Sequence, residues 1–545
     1  MRSETPVLIV GGGPSGLAAS LTLSQLGVPS MLVNRYPGTL EHPKAVAIMQ
    51  RTAELLRLWG AEDEVRQRGV PPEFCERMVW TTTLSGEELG RTETVEPDDT
   101  APEPQSPTTG LRCPQNITET VLRDRAQAHD VADLRYGFEM TGFEQDDDGV
   151  TATVVPHEGG EASTVRARFL IAADGNDSTS RDACGIGRAG DADMGHFVNI
   201  FHRAPLGPLV RERPGWSYAV ITPEVDGAFV AINGDDVWLF HVNLGPGETV
   251  EDFTDERCVE TIRRAAGVED LDVELISAKS WIMGAEVSTA FRDRRVLLTG
   301  DAAHRTTPDG GVGMNTGIHS AHNLAWKVGA VVSGWAGPDL LDTYETERRA
   351  VAEANVAYSA RRGAGMIKMI EAVRAGDLDA VRAGIAARPA GGRQGMDLGF
   401  RYERGAVASD GTTPPPVGNP RAEYVQNGCP GGRAPHMWVQ RDGERVSTLD
   451  AFGGGFVLLT GADGAAWRAA AEQTAAPRRV PIEVLSVGEA ADLQAPSGRF
   501  EALYGVEPDG AVLVRPDGFV GWRSQRAGDA PADELARAVA TILKF

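Results

Sequence analysis

The sequence predicts an α/β protein of several domains: a Rossmann-type domain, a sheet domain inserted into it, and a small α/β domain at the C-terminus. Three observations predict this. Pro6 to Val10 is a short apolar run followed at once by Gly11-Gly12-Gly13-Pro14-Ser15-Gly16 and a helical stretch. Two more buried-strand patterns, Phe169 to Ala173 and Arg295 to Thr299, run into Asp174-Gly175 and Gly300-Asp301. Between them, from about Asp191 to Glu286, aromatic residues recur in short alternating segments separated by turns such as Asn233-Gly234-Asp235, the pattern of an antiparallel sheet.

At the N-terminus the glycines form GxGxxG in the context that gives it meaning, with a strand before it, a helix to about Leu26, and a second strand, Ser30 to Val33, after Gly27. Gly11 permits the tight turn, Gly13 lets a pyrophosphate approach the backbone, and Gly16 lets helix and strand pack closely. A dinucleotide site is the expectation. The second strand of such a unit usually ends in an acidic residue that holds a ribose, but here it ends Val33-Asn34-Arg35. Asn34 can still accept a ribose hydroxyl, without charge assistance. Arg35 is open to two readings, a phosphate contact or a solvated surface residue, and Lys44 is a further candidate phosphate contact.

Further along, a helix is expected from Thr52 to Trp59, and the acidic, proline- and threonine-rich stretch from Gly86 to Thr109 reads as a surface excursion. Arg112 and Gln115 immediately precede an amphipathic helix, Ile117 to Ala128, and strands follow near Leu134 to Phe138 and Val150 to Val155. Asp174 reads either as a ligand position at the carboxyl end of a strand or as the cap of a turn. The stretch from Arg295 to Lys327 joins strand, glycine-rich loop and helix, an arrangement that turns backbone N–H groups and a positive helix end toward an anionic or electron-accepting ligand. Asp301 stands where it can accept hydrogen bonds from sugar or ribityl hydroxyls. Helices are expected from Tyr344 to Arg362 and from Met366 to Ala387, then a proline- and glycine-rich surface linker (388–432). The last segment (433–545) alternates strands and helices: Gly455 to Thr460, Trp467 to Thr474, Ile482 to Val487, Ala511 to Val514 and Ala532 to Lys544.

Composition narrows the function classes. Of 545 residues, 53 are basic and 77 acidic, a formal charge of -24. That balance argues against a nucleic-acid or anionic-membrane surface. Cys75, Cys113, Cys184, Cys258 and Cys429 show no CxxC and no zinc-like spacing, so no metal site and no disulfide framework are expected, and a reducing cytoplasm fits. Neither a cationic leader nor an 18-residue apolar run is evident.

Taken together, GGGPSG, ADGNDSTSR from Ala173 and GDAAHRTTPDGGVGMNTG from Gly300 resemble the three fingerprints of the class A flavoprotein monooxygenases, within them the aromatic polyketide hydroxylases. The likeness extends to GFRY at Gly399 to Tyr402 and LVRPDGFVGWR at Leu513 to Arg523. It implies a fold like that of para-hydroxybenzoate hydroxylase, with a discontinuous FAD domain (1–187 and 287–387), a sheet substrate domain (188–286) and a thioredoxin-like C-terminal domain. That last domain lacks the CxxC on which redox chemistry depends, leaving stabilisation or assembly.

The resemblance also implies cofactor roles: Gly11, Gly13, Pro14, Ser15 and Gly16 around the pyrophosphate, Arg112 and Gln115 among the contacts, Asp174 in the shared cofactor and NAD(P)H region, and Gly300-Asp301 on the ribityl chain. Pro308, Gly310, Gly311 and Gly313 would lie beside the isoalloxazine, with the N–H groups of Met314 and Asn315 toward its C2 oxygen. Implied chemistry is reduction of FAD by NAD(P)H, oxygen addition as a C4a-hydroperoxyflavin, and hydroxylation of a polycyclic aromatic polyketide. Trp216, Tyr218, Phe229, Trp238, Phe240 and Trp281 are candidates for the flat walls of its pocket, each with the alternative of ordinary sheet core. No catalytic side chain is singled out. His304, His319 and His322 read as packed or capping residues. A Baeyer–Villiger oxygenase and a non-catalytic flavin-binding scaffold remain alternatives, and a halogenase is disfavoured because WxWxIP is absent. Monomer and homodimer are equally open.

Overall fold

A computed structural model describes residues 3–93, 104–222, 225–245, 247–387 and 392–545. Its first sheet runs Arg292–Asp293, Val296–Leu298, Ser163–Ala172, Glu4–Val10, Ser30–Asn34, Ala132–Tyr136, and the last five of these strands are parallel to one another. Val7, Leu8 and Ile9, Leu170 and Ile171, and Val296 to Leu298 are fully buried, as strands covered on both faces must be. Val10 lies opposite both Val33 and Ala172, and Ala172 opposite Leu298. This register brings Gly11, Asn34, Asp174 and Gly300 to a single edge. Helices Pro14–Gln25 and Gly313–Val332 cover the sheet and pack on each other.

A second sheet of eight strands runs His304–Arg305, Glu274–Ser288, Arg188–Arg203, Val237–Asn243, Asp226–Ala231, Ser217–Ile221, Arg77–Thr81, Glu88–Glu93. Two expectations are corrected here. The sheet is not built from residues 188–286 alone, and it is not wholly antiparallel, because Ser217–Ile221 pairs in parallel with Arg77–Thr81. Part of the supposed surface excursion is therefore an edge strand, Glu88–Glu93, while Ser106 and Thr108 are buried where their hydroxyls meet Glu54 and Glu62. Residues 94–103 of that stretch lie outside the described residues. On one face the sheet is closed by a helix, Asp255–Ala266, which the aromatic pattern around it had masked. Its ends were nonetheless written in the chain: Thr254 caps it through Arg257 N–H, Asp255 and Glu256 open it, Arg263 and Arg264 close it, and Gly267 ends it with φ +71°.

The break between the two expected helices falls later than expected: the first runs on unbroken from Asp342 to Arg374, and the second is confined to Leu378–Ala386. Gly363 does not break the first; a Cβ there would come within 3.1 Å of Thr307, so the missing side chain lets the helix press against the loop before Pro308. Met369 and Val373, with Val381 and Ile385 of the next helix (Leu378–Ala386), cover Trp80, Ala219 and Ile221 of the second sheet.

Beyond 391, the linker is not a surface strand of chain. Leu398, Tyr402, Ala406 and Tyr424 are buried, and residues 388–391 lie outside the described set. In the C-terminal domain Phe456–Thr460 runs parallel to Ile482–Gly488 and antiparallel to Ala511–Val514, with helices Ala465–Ala475 and Pro531–Leu543 packed together. It docks through buried charge. Glu347 accepts from Arg515 and Lys327, each at 2.8 Å, while Arg515 also holds Asp517. Alongside, Glu54 takes Arg51 at 2.8 Å and also Arg433.

Candidate active site

At the shared edge of the first sheet the backbone leaves room. Gly11 has φ +108°, and a Cβ on it would stand 2.2 Å from the Ala173 carbonyl; one on Gly16 would stand 1.9 Å from the Gly11 carbonyl. Around Gly13 the space is open, the nearest side-chain atom being Glu119 Oε1 at 3.9 Å. Gly13 caps the helix that Pro14 begins without any side-chain bond, so the first-turn N–H groups, Ser15 and Gly16 among them, face outward. The Ser15 hydroxyl lies where Cβ atoms on Gly300 and Gly317 would fall, so the starts of the two helices meet closely there.

Asn34 already has a structural part, which leaves one lone pair of its amide oxygen for a further donor. Its Oδ1 accepts from Gly12 N–H at 3.1 Å and its Nδ2 donates to Tyr36 O at 3.3 Å, so the amide is engaged in holding the glycine loop. Arg35 is exposed and stacks on Tyr36 at 5.0 Å. Gln115 bridges Ala45 N–H to Glu119, whose other oxygen accepts from Leu40 N–H at 2.9 Å. Glu119 was missed by the sequence reading because it sits mid-helix among polar residues; it is buried beside the glycine turn, and burial pushes its carboxyl up. Asp174 accepts from the Ser178 hydroxyl at 2.5 Å and from Ser180 N–H at 2.9 Å. It caps the turn into helix Thr179–Ala183.

The loop from Pro308 to Gly311 is braced from behind. Thr307 is bonded twice to Ser359, Asp309 pairs with Arg362 at 3.1 Å, and Arg393 donates to Gly310 O. Helix Gly313–Val332 follows, with no side-chain cap. Asn315 does not present its side chain to the cleft; it accepts from Met49 N–H at 2.9 Å and donates to Ala47 O at 3.0 Å and Gly311 O at 2.7 Å. Only its backbone N–H and those of Gly313 and Met314 are left at the helix start. Ala47–Ile48 pairs with Leu111–Arg112, and the Arg112 guanidinium lies 4.1 Å from the Trp216 ring. One short ribbon thus joins the loop to the second sheet.

Asp301 keeps accessible surface, yet surrounding protein is the leading cause that pushes its carboxyl above the ordinary range, against the pull of Lys44, Arg305 and Arg188. Both conditions hold together for a residue that lines a cleft. Lys44 is exposed at its rim. Arg188 and Arg305, each within 3.3 Å of Glu286, supply the local positive charge that an acidic protein needs beside a phosphate-bearing cofactor, and no motif announced them.

Of the six aromatic candidates, four are corrected. Tyr218, Phe229, Trp238 and Phe240 are fully buried against helix Asp255–Ala266, on the face turned away from the first domain. The Tyr218 hydroxyl and Trp238 indole N–H are satisfied there by backbone. Strand alternation decides it: their neighbours in sequence occupy the other face. Trp216 packs with Val46, Phe201 and Leu239 on that other face. Trp281 stacks on Phe197 at 4.4 Å there. His304 and His322 are buried, bonded to Ser320 and Thr22, with pKa values lowered to about 3 by burial, and His319 meets Thr52. They pack rather than titrate.

These features fit FAD: a glycine turn for a pyrophosphate, two uncapped helix starts, and an accessible carboxylate between them. A family model for the FAD binding domain matches residues 4–359, and one for the aromatic-ring hydroxylase C-terminal domain matches residues 427–544. The chain belongs to the FAD-dependent aromatic-ring hydroxylases, a class of flavin monooxygenases. It is 41% identical to a putative polyketide hydroxylase of Streptomyces halstedii, over 99% of this chain and 98% of that protein. Among solved structures, the flavin-dependent monooxygenase PieE with FAD and substrate superposes with a TM-score of 0.91 at 33% identity, covering 100% and 99% of the two chains. Aklavinone-11 hydroxylase with FAD and aklavinone gives 0.85 at 35% identity, covering both chains fully.

Proposed function

We propose that this chain hydroxylates a phenolic ring of a polycyclic aromatic polyketide, with NAD(P)H as reductant and molecular oxygen as co-substrate, in the cytoplasm of its host. The observation that carries the reading is the wall opposite the glycine loop, where Phe197 and Trp281 stack and Trp216, Phe201 and Leu239 pack. It offers a fused ring system a flat apolar surface. Its likeness to polyketide hydroxylases along the whole chain supports the same substrate class.

FAD would be held by the backbone from Gly11 to Gly16 and by Asp301 toward its ribityl hydroxyls, with the N–H groups of Met314 and Asn315 toward the pyrimidine edge of the ring. When bound it supplies the oxygen activation and electron transfer that no amino-acid side chain provides. The protein's own task is positional. The braced loop from Thr307 to Gly311 fixes one face of the cleft, the aromatic sheet fixes the other, and the apolar side chains of that sheet keep water from the reacting oxygen.

Substrate-stimulated flavin reduction tests this. In anaerobic stopped-flow, the holoenzyme mixed with NADPH or NADH is expected to bleach faster when a polycyclic phenol such as aklavinone is present. A rate indifferent to every such phenol overturns the substrate assignment.

A further inference from the structure

His241 carries a feature that the fold itself does not need. It lies on Val237–Asn243, opposite Asn199 in register, and Asn199 lies opposite Lys279 on Glu274–Ser288. Alternation therefore puts Phe197, Asn199 and Phe201, Leu239 and His241, and Ser277, Lys279 and Trp281 on one face of the second sheet. That face is turned toward the first domain. His42, from the loop that ends in the Ala47–Ile48 ribbon, bonds Ser277 at 2.8 Å and stacks edge-on against Phe201.

Asn199 Oδ1 receives two contacts. Trp281 Nε1–H, which can only donate, reaches it at 2.7 Å, and His241 Nδ1 stands 2.5 Å from it. An oxygen that already accepts from indole leaves His241 Nδ1 the donor. The proton is thereby fixed on Nδ1, and Nε2 is left with a bare lone pair.

His241 Nε2 has no hydrogen-bond partner among the described residues and is not enclosed, whereas Nε2 of the neighbouring His42 is enclosed and unpaired. His241 is half-buried. Surrounding protein and the nearby His42 hold its pKa at about 4, so at neutral pH the ring is an uncharged acceptor. This is the signature of Asp301 repeated on the opposite wall: protein on nearly every side, and a polar atom open to the cleft. A core histidine packed for structure turns both nitrogens to partners or to apolar neighbours.

Resting on the reading of a phenolic aromatic substrate, we propose that His241 is a substrate-positioning residue whose Nε2 accepts a hydrogen bond from a phenolic hydroxyl, with Asn199 and Trp281 holding its tautomer. The stacked Phe197–Trp281 pair sets the plane of the ring system and His241 sets its rotation within that plane. Accepting that hydrogen bond leaves electron density on the phenol oxygen, which enriches the carbons of the same ring toward an electrophilic oxygen.

The test is discrimination between a phenol and its ether. Dissociation constants of 2,6-dihydroxyanthraquinone, whose hydroxyls have no internal acceptor, and its dimethyl ether are measured on the FAD-loaded enzyme by fluorescence quenching. Wild type is expected to favour the phenol about tenfold, the scale of one hydrogen bond. His241→Phe is expected to erase that preference with flavin absorbance and far-ultraviolet circular dichroism unchanged. His241→Gln, whose amide oxygen still accepts, restores part of it. Should His241→Phe not fold, Asn199→Leu decides: with no acceptor to fix Nδ1–H the preference is expected to fall, and an undiminished preference there overturns the proposal. Undiminished discrimination in His241→Phe overturns the proposal, as does a wild type that treats phenol and ether alike. A wild type that binds neither compound overturns the substrate reading itself and this proposal with it.

Discussion

Two seams border helix Gly313–Val332, and they treat polar groups in opposite ways. At its start, N–H groups of Gly313 and Met314 go uncapped, glycines replace side chains, and Asp301 is an accessible carboxylate pushed up by the protein around it. Further along the same helix, Asn323 and Lys327 enter the contact with the C-terminal domain, where Glu347 is shared by Lys327, Arg515 and Asn323, and Asp517 by Arg515 and Asn323. Glu347 is held down to about 2 by those cations, whereas Lys327 falls to about 8 because burial outweighs its half-share of one carboxylate. The difference teaches where a ligand belongs. Polar groups left open in the first seam call for something outside the chain, whereas the buried charges of the second are paired within it.

Removing a partner from the completed seam should have the largest effect. Glu347→Ala strands Arg515 and Lys327 without their shared anion, and a loss of about 3–5 kcal/mol is expected for one member of a buried ion pair, read as a lower urea midpoint. The same seam has a pH signature. Because Glu347 in the fold titrates below its unfolded value of 4.5, its stabilisation is present above about that pH and disappears as pH falls toward 2. A urea midpoint followed downward from pH 6 is expected to drop in that window for wild type, and less for Glu347→Ala.

At the open seam the changes should touch ligand before fold. Gly11→Ala puts a Cβ on the Ala173 carbonyl at φ +108°, a strain of about 1–3 kcal/mol, and is expected to weaken FAD retention by about tenfold or more while the far-ultraviolet spectrum is kept. Asp301→Asn sharpens the contrast most. A carboxyl raised by its surroundings penalises the ligand-free fold at neutral pH, so the variant apoprotein is expected to melt slightly higher even as it holds FAD less tightly. A variant that lost stability without losing flavin would place Asp301 with the structural charges.

How much of this was legible in the sequence depended on whether a signal was local. Gly11 to Gly16 announced their turn because φ and close approach leave no other residue there, and the parallel strands showed as continuous apolar runs. The sheet face of the aromatics was not legible: Tyr218, Trp238 and Phe240 read like a pocket, and only the pairing register assigns them to the core and Phe201, Leu239 and His241 to the cleft. Likewise Arg77–Thr81 could not be assigned to a sheet formed some 140 residues later. GFRY and LVRPDGFVGWR were recognisable as motifs, but their reason is the seam, where Tyr402 stacks on Phe519 at 4.6 Å and Arg515 reaches Glu347.

The central claim, a flavin monooxygenase acting on a polycyclic phenol, is tested most directly by isotope transfer. Purified enzyme is supplied with FAD, NADPH, a hydroxylated polycyclic substrate and oxygen-18 gas, and the product is weighed by mass spectrometry. The account predicts a phenol bearing one labelled oxygen on a ring carbon, formed in step with NADPH consumption. Label confined to hydrogen peroxide, or found in a ring-expanded lactone, would contradict it.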